Sequence, residues 1–286
     1  ILQHETDYSV SLMEQIEKEH NIAYGSSDPD KIREFLTKRC DLWQQDSEEK
    51  YLSSEQLNTW KDLAVSPKEF QQLIKGRDHI AGYDLSKKID LTAYGGCCYL
   101  DDGRVAVWAH GFIPEESVQI HEKKDNVPYR SWIRDGWVTE TPGAVVDYDT
   151  MSEYVDNFID FMGKNPNEDC FDPYNATFYM IKLGEKGERT PVEVRQNTLS
   201  LSEPTNWLRE LIVSHKVVHD GSPLLTWALS NAYAYTDGNG NIKLSKKNKD
   251  DTQRIDPAAA LINALSRLPK AQPKRSKYED CDLSEW

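Results

Sequence analysis

The chain has 286 residues and a formal net charge of −14 at pH 7, with 38% hydrophobic and 29% charged residues. This length suits one large domain or two modest ones, and the composition is that of an ordinary soluble globular protein. No apolar run approaches the ~18 residues that cross a bilayer, so we expect no membrane partner. The chain begins at Ile1 without a basic-then-apolar leader, which indicates a piece of a longer protein.

Five cysteines are scattered along the chain, at positions 40, 97, 98, 170 and 281. Their number is odd and no Cys-x-x-Cys pair occurs, which argues against both a disulfide framework and a structural zinc site. Cys97 and Cys98 lie in an apolar run and are expected in the core. The cysteine pattern fits a reducing, cytoplasmic setting.

Charge is unevenly placed along the chain. Residues 147–172 contain eight acids and one lysine, whereas residues 243–254 contain five basic residues and two acids, and residues 267–277 contain five basic residues and no acid. A net negative charge opposes nucleic-acid binding, because phosphate contacts need Lys and Arg. A protein that gathers carboxylates around metal ions can nevertheless present local basic contacts to DNA.

Residues 1–76 are predicted to form a small helical segment. Ser11 and Glu14 have capping-box spacing, and the pairs Asp28-Pro29 and Ser66-Pro67 are typical helix starts. The stretch is acidic and amphipathic and carries no catalytic motif. We interpret it as a linker that leads into the next domain.

Residues 77–270 are predicted to form an α/β domain, followed by a charged tail over residues 271–286. Three strand-like runs come first, at His79–Leu85, Leu91–Leu100 and Arg104–Phe112. Helices and short strands then alternate, at Ser152–Met162, Asp169–Phe171, Asn175–Leu183, Pro191–Val194 and Thr205–His215. A hairpin is predicted over Leu225–Leu244 and a last helix over Ala258–Leu268. This order predicts a mixed sheet flanked by helices.

Four aspartates fall at the ends of these elements. Asp84 lies in or at the end of the first strand, among apolar residues, where an unpaired carboxylate is costly. Asp90 lies at the start of the next strand, whereas Asp172 and Asp256 each precede a proline at a helix start. An aspartate before Pro is often an ordinary helix cap, and Asp90 could simply end a turn.

Converging carboxylates are the ligands that hard divalent ions such as Mg²⁺ prefer. Two such ions, about 3.5–4 Å apart, stabilise the attacking and the leaving oxygen of a phosphodiester during hydrolysis. The aspartates therefore point to a two-metal site, in which Asp84 would bridge the ions.

Several strings resemble the large terminase subunits of tailed phages, in the family that carries a ribonuclease H-like nuclease. They are Gly82-Tyr83-Asp84-Leu85-Ser86, Val127-Pro128-Tyr129-Arg130-x-Trp132-x-x-Asp135-Gly136, Thr141-Pro142-Gly143-x-Val145-Val146-Asp147-Tyr148-Asp149, Leu224-x-x-Trp227 followed by Asn231, and Arg254-Ile255-Asp256-Pro257-Ala258-Ala259-Ala260-Leu261. Their order matches the family, and together they span about two thirds of the chain.

The resemblance implies a ribonuclease H-like nuclease that cuts concatemeric double-stranded DNA during genome packaging in the host cytoplasm. It implies Asp84, Asp172 and Asp256 as catalytic metal ligands for two Mg²⁺ or Mn²⁺ ions, with Asp90 as a secondary ligand. Asp169 could replace Asp172, and the family motif leaves Asp147 and Asp149 without a role.

The resemblance also implies partners: an ATPase domain of the same subunit, the small terminase subunit and the portal protein. No Gly-x-x-x-x-Gly-Lys-Ser/Thr motif occurs in the chain. We therefore expect this polypeptide to cut DNA but neither to hydrolyse ATP nor to translocate.

Other candidate sites have simpler explanations. His215 and His219 would share a helical face, which zinc sites sometimes use, but no third ligand is apparent. The lysines of the predicted hairpin tip are candidate DNA contacts or a solvated loop; they are Lys243, Lys246, Lys247 and Lys249. A non-catalytic module that docks on DNA or the portal, or a resolvase- or integrase-type nuclease, remains an alternative to the terminase nuclease.

Overall fold

The computed structural model describes residues 7–25, 48–86, 91–185, 189–246 and 254–268. The chain divides into two compact units, residues 1–47 and residues 48–286. In the first unit the described element is helix α1, Asp7–Gly25. Ser11 lies inside α1 rather than at its start, so the capping box predicted there is wrong. The helix predicted from Asp28 lies outside the described residues.

The second unit alternates helices and strands. Its strands are β1 (Glu48–Lys50), β2 (Ile80–Asp84), β3 (Thr92–Tyr99), β4 (Val105–Pro114), β5 (Val138–Thr141), β6 (Glu168–Phe171), β7 (Pro191–Glu193), β8 (Val217–His219), β9 (Tyr233–Thr236) and β10 (Ile242–Ser245). Its α-helices are α2 (Ser54–Asp62), α3 (Pro67–Ile74), α4 (Val118–Asp125), α5 (Tyr129–Arg134), α6 (Tyr148–Met162), α7 (Pro173–Glu185), α8 (Thr198–Val213), α9 (Pro223–Asn231) and α10 (Asp256–Leu265).

A seven-stranded mixed sheet forms the centre of this unit; six of its strands follow the order β5-β4-β3-β2-β6-β7, and the seventh, β8, pairs with β4. Strand β3 is antiparallel to both of its neighbours, β2 and β4, whereas β6 runs parallel to β2 and β7 runs parallel to β6. Strands β5 and β8 both pair in parallel with β4, at different parts of its length. The predicted mixed sheet flanked by helices is therefore confirmed.

Two layers of helices cover the faces of the sheet. Because side chains alternate along a strand, Ile80 and Gly82 point to one face and Ala81 and Tyr83 to the other. The first face packs against α8, α9 and α10 in the largest core cluster. The second face packs against α6 and α7. The sheet is thus the middle layer of a three-layer sandwich. Alternate residues of β2 contact the α8, α9 and α10 layer and the α6 and α7 layer.

Helix α10 crosses the sheet very closely at Gly82. A Cβ atom added to Gly82 would lie 2.0 Å from the carbonyl oxygen of Ala260 and 2.8 Å from the amide nitrogen of Ala264. The Asn263 side chain donates to the Tyr83 carbonyl oxygen across the same contact, at 2.9 Å. The missing side chain of Gly82 therefore lets the α10 backbone rest on β2, which fixes where α10 begins relative to the strand end.

The second unit begins earlier than the sequence predicts. Strand β1 pairs with β9, with Lys50 opposite Tyr233, in a small sheet with β10. Tyr51 and Trp60 are buried in the same core cluster as α8 and α10. The predicted boundary at residues 76 and 77 therefore differs from the boundary at residues 47 and 48. A pairing between strands about 180 residues apart leaves no local sequence pattern, which explains the difference.

The predicted hairpin is shorter than expected. Residues 223–231 form helix α9, and the hairpin comprises only β9 and β10. Asp237 holds its turn, because its carboxylate accepts the amides of Asn239 and Asn241 at 2.9 and 3.0 Å. The apolar run at the start of α9 fits either a buried helix or a strand, and the Ser222 cap and Pro223 favour the helix.

None of the helices that the structure describes combines the length and the apolar character needed to span a membrane.

His219 is a buried histidine that the fold holds in its neutral form. Its ring stacks on Trp60 with centroids 3.8 Å apart. Its Nε2 lies 2.7 Å from the Trp60 carbonyl oxygen, while its Nδ1 accepts the Gly221 amide at 3.2 Å. One nitrogen must therefore donate and the other accept, and burial lowers the pKa of His219 to about 4.

We expect this histidine to make the fold acid-sensitive. Because the unfolded chain takes up the proton near pH 6.5 and the folded chain only near pH 4, its contribution is complete above pH 6.5 and is lost as the pH falls. Between pH 6.5 and 5 the loss is about 2 kcal/mol. Denaturant unfolding at several pH values should show that the free energy of unfolding falls less steeply with decreasing pH in His219→Gln than in the wild type.

The control is His215→Asn, at an exposed position with φ of 57°, a left-handed conformation that asparagine tolerates. This variant should keep the wild-type dependence of the unfolding free energy on pH. An equal pH dependence of unfolding in wild type and His219→Gln would contradict the prediction.

Candidate active site

Asp84 and Asp172 lie side by side at one end of the sheet. Strand β2 ends at Asp84, and the parallel strand β6 ends at Phe171, whose register partner is Tyr83. Asp172 follows directly and precedes Pro173, which favours an extended backbone at Asp172. The register therefore places Asp172 next to Asp84, at the carboxyl ends of two neighbouring parallel strands.

Both carboxylates point to the α10 face of the sheet. Side chains two residues apart along a strand point to the same face of a sheet. Asp84 therefore points to the same face as Ile80 and Gly82, and Asp172 to the same face as Cys170, which is buried in the core on the α10 side. Asp256 is the first residue of α10, and the N-cap position of this helix is occupied by Ile255 rather than by Asp256. The close contact at Gly82 brings this end of α10 to the end of β2.

The electrostatics of Asp84 indicate that its carboxylate lies close to those of Asp172 and Asp256. Burial raises the pKa of Asp84 to about 8, the Asp256 and Asp172 carboxylates add to the shift, and the Lys246 ammonium opposes it. Shifts of this kind arise between charges a few ångströms apart. The structure therefore brings Asp84, Asp172 and Asp256 together, with Lys246 beside them.

The donor set of this site fits a divalent cation. All three side chains offer carboxylate oxygens, the ligands of hard ions. Asp256 Oδ2 is buried and accepts no hydrogen bond from any residue that the structure describes. An unpaired buried carboxylate oxygen is costly, and a cation would satisfy it.

Rotamer changes would be needed to close these carboxylates on an ion. Within the described residues, no three His, Cys, Asp or Glu side chains are already spaced as a set of metal ligands. Asp172 Oδ1 accepts the Tyr174 amide at 3.0 Å, a cap-like contact that also supports the simpler helix-cap role for this residue. Without a cation the neighbouring carboxylates would repel each other, which favours a metal-ligand role for this residue.

Asp169 lies on the opposite face of the sheet from Asp172. Its carboxylate accepts the Tyr83 hydroxyl at 2.9 Å and the Arg189 Nε at 2.9 Å, and the Arg189 Nη2 contacts it as well. This ion pair is buried against the α6 and α7 layer. Asp169 therefore has no part in the carboxylate cluster, which removes the alternative that it replaces Asp172.

Asp147 has a structural role that the sequence did not assign. It is the N-cap of α6, and its carboxylate accepts the Thr150 amide at 3.1 Å and the Thr150 hydroxyl at 2.6 Å. Asp149 is exposed in the first turn of the same helix. The string that begins Thr141-Pro142-Gly143 thus ends at the N-terminal cap of helix α6.

Two of the four predicted DNA-contact lysines lie in the described part of the chain. Lys243 is in β10, where its Nζ donates to the Gln196 carbonyl oxygen at 3.1 Å, and Lys246 follows β10 beside Asp84. The hairpin tip is the turn at Asp237, so placing these lysines at the tip was wrong. Lys247, Lys249 and Asp90 lie outside the described residues.

The two histidines do not share a helical face. Helix α8 ends at Val213, His215 has a positive φ, and His219 lies in β8. The helix predicted through His215 therefore ends earlier, and a zinc pair at these positions is excluded by their geometry. Cys97 and Cys98 are buried in β3, as predicted.

One buried cluster near the site was missed by the sequence analysis. Arg254, two residues before Asp256, contacts Asp125 and His121, and Tyr129 donates to Asp125 at 3.0 Å. Arg254 and Tyr129 belong to strings already noted, but the contact spans 129 residues. No local pattern could have found Asp125.

The strand order, the strand directions and the carboxylates at the ends of β2 and β6 define a ribonuclease H-like α/β fold. The terminase large subunit, endonuclease domain family model matches residues 7–271. The chain belongs to this family, so the resemblance seen in the sequence is confirmed.

Two curated proteins and one solved structure illustrate the similarity. Protein YmfN of Escherichia coli strain K12 is 27% identical over 244 residues, which cover 82% of this chain and 51% of YmfN. The terminase large subunit of Enterobacteria phage HK97 is 32% identical over 191 residues, which cover 66% of this chain and 37% of that subunit. The crystal structure of the HK97 large terminase superposes with a TM-score of 0.72 at 24% identity, covering 93% of this chain and 51% of that chain.

This chain thus spans about half of the length of YmfN and of the HK97 crystal structure, and a smaller share of the HK97 subunit sequence.

Proposed function

We propose that this chain is a metal-dependent endonuclease that cuts concatemeric double-stranded DNA during phage genome packaging. The observation that carries the proposal is the convergence of Asp84, Asp172 and Asp256 on one face, at the carboxyl ends of β2 and β6. Membership in the terminase endonuclease-domain family supports the reaction class.

The three aspartates would hold two Mg²⁺ or Mn²⁺ ions. When bound, such ions generate a hydroxide nucleophile and neutralise the departing oxygen of a phosphodiester. Asp84 interacts electrostatically with both Asp172 and Asp256, so we propose that it is the ligand that the two ions would share. Asp90 is proposed as a further ligand on the basis of the family motif alone.

Lys243 in β10 and the lysines that follow it in the sequence would bind the DNA backbone. Lys246 lies beside Asp84 and would attract a phosphate to the carboxylate cluster, whose own charge repels it. Lys243 precedes it in β10, and we propose the same role for Lys243, Lys247 and Lys249. Contacts of this kind position the duplex without reading its sequence, so we expect little sequence specificity.

The wider packaging context is also a proposal. The chain would work with an ATPase domain of the same subunit, with the small terminase subunit and with the portal protein, in the host cytoplasm. Family membership supports this context.

Removal of divalent ions is expected to abolish cleavage. The carboxylates alone cannot stabilise the charge that develops on the leaving oxygen, so EDTA should reduce the rate on linear duplex DNA to background. Adding Mn²⁺ in excess should restore the rate. Gel analysis of plasmid and linear DNA at fixed ionic strength measures both steps.

The same experiment separates a nuclease from a docking module. A module that only binds DNA or the portal would show no cleavage with Mn²⁺. Cleavage that continues unchanged in EDTA would contradict the two-metal mechanism, and a preference for four-way junctions over linear duplex would favour a resolvase.

A further inference from the structure

A buried polar cluster holds the residue that precedes helix α10. The Arg254 guanidinium donates through Nε to Asp125 Oδ2, and its Nη2 lies 2.6 Å from His121 Nδ1. The Tyr129 hydroxyl donates to the same Asp125 oxygen at 3.0 Å. All four residues are at most 9% exposed. Arg254 is therefore fixed by helices α4 and α5.

The main chain of Arg254 is held from a second direction. The Asn231 side chain, at the end of α9, donates to the Arg254 carbonyl oxygen at 3.2 Å. Ile255 is buried, and its carbonyl oxygen accepts the Ala259 amide at 2.9 Å as α10 begins. Contacts with α4, with the end of α9 and with the first turn of α10 thus hold the two residues before Asp256. They involve the side chain of Arg254 and the backbone of both residues.

Stability alone does not explain this cluster. A buried ion pair is often no more stabilising than apolar side chains of similar volume, because both ions lose their hydration. A fixed orientation is a better explanation, since groups behind the ligands of a metal site commonly set the direction in which those ligands point. Asp256, two residues on, has a buried oxygen without a hydrogen-bond partner among the described residues.

We propose that Arg254, held by Asp125, is a positioning residue that aims the Asp256 carboxylate at the cation site. The proposal rests on the nuclease function proposed above. It gives a role to Tyr129 and Arg254, two residues of the sequence strings that the carboxylate cluster does not explain. It also accounts for the neutral His121, whose Nδ1 must accept from the guanidinium.

The test compares Arg254→Gln, Asp125→Asn and the double variant with the wild type. Mn²⁺ binding without DNA, measured by calorimetry, and kcat and KM on linear duplex DNA should be determined for each. We expect Mn²⁺ affinity and kcat to fall by about 10–100-fold, with KM for DNA unchanged. The double variant should be no worse than the worse single variant, because the two residues act as a unit.

A second pair of variants covers the case in which loss of the ion pair prevents folding. Tyr129→Phe keeps the ion pair and removes one hydrogen bond to Asp125. Tyr51→Phe removes an equivalent buried hydrogen bond, from the Tyr51 hydroxyl to the Thr205 carbonyl oxygen at 2.7 Å. We expect Tyr129→Phe to weaken Mn²⁺ binding by about 10-fold, whereas Tyr51→Phe should lose thermal stability at wild-type Mn²⁺ affinity.

The outcomes distinguish the two proposals. A wild-type protein that neither binds Mn²⁺ nor cuts DNA with it would overturn the nuclease function, and this inference with it. The positioning role alone would be overturned by a different result: the wild type binds Mn²⁺ and cuts DNA, and Tyr129→Phe and every folded Arg254 or Asp125 variant keep the wild-type Mn²⁺ affinity and kcat.

Discussion

Asp84→Asn is expected to reduce DNA cleavage by more than about 100-fold and to raise the thermal unfolding midpoint in EDTA. Loss of groups behind a metal ligand typically costs about 10–100-fold, so loss of a ligand itself should cost more. The stability effect has the opposite sign, because burial and two neighbouring carboxylates disfavour the Asp84 charge. An amide at this position removes that repulsion and keeps the shape.

Gel-based cleavage rates with Mn²⁺ and thermal unfolding in EDTA measure the two effects separately. Asp149→Asn is the control, because Asp149 is an exposed carboxylate in a neighbouring helix and should keep both wild-type values. Wild-type cleavage by Asp84→Asn would show that the carboxylate cluster is not the catalytic centre. A lower midpoint in EDTA would show that Asp84 stabilises the fold.

Gly82→Ala is expected to destabilise the second unit by at least about 3 kcal/mol, at the upper end for overpacked cores. The added Cβ would lie 2.0 Å from the Ala260 carbonyl oxygen and 2.8 Å from the Ala264 amide nitrogen. These are backbone atoms of a helix, so no side chain can move aside and α10 must shift as a whole. The shift would also carry Asp256 away from Asp84.

Thermal unfolding should show a midpoint lowered by roughly 6–12 °C for a unit of this size. Cleavage measured well below the new midpoint should fall as well, since the carboxylates separate. Gly238→Ala is the control, because its added Cβ meets no atom within 4 Å and should change stability by at most about 0.5 kcal/mol. A Gly82→Ala variant as stable as the wild type would contradict the close packing of α10 on β2.

Local sequence patterns predicted the parts of the fold that local physics decides. The strand runs around β2, β3 and β4 are rich in apolar and aromatic residues and were predicted correctly, as was the Ser66 cap of α3, whose side chain accepts the Glu69 amide at 3.3 Å. The metal-ligand role of Asp84, Asp172 and Asp256 stays a prediction, which came from their positions at a strand end or a helix start together with the family resemblance.

Long-range pairing explains what could not be predicted. Strands β1 and β8 are three residues long and exist only because β9 and β4 offer them an edge. The cluster of Arg254 with Asp125 depends on side chains 129 residues apart. The predicted hairpin over Leu225–Leu244 failed for a related reason, since a short apolar run fits helix and strand equally until its packing partners are known.

Asp169 and Asp172 are separated by an odd number of positions, so their side chains point to opposite faces of the sheet. Asp169 forms a buried ion pair on one side of the sheet, and Asp172 lies beside Asp84 on the other. Inserting or deleting one residue between them would turn both carboxylates to the same side, because alternation has a period of two. A change of one residue in the length of this segment would therefore remove either the ion pair of Asp169 or the position of Asp172 beside Asp84.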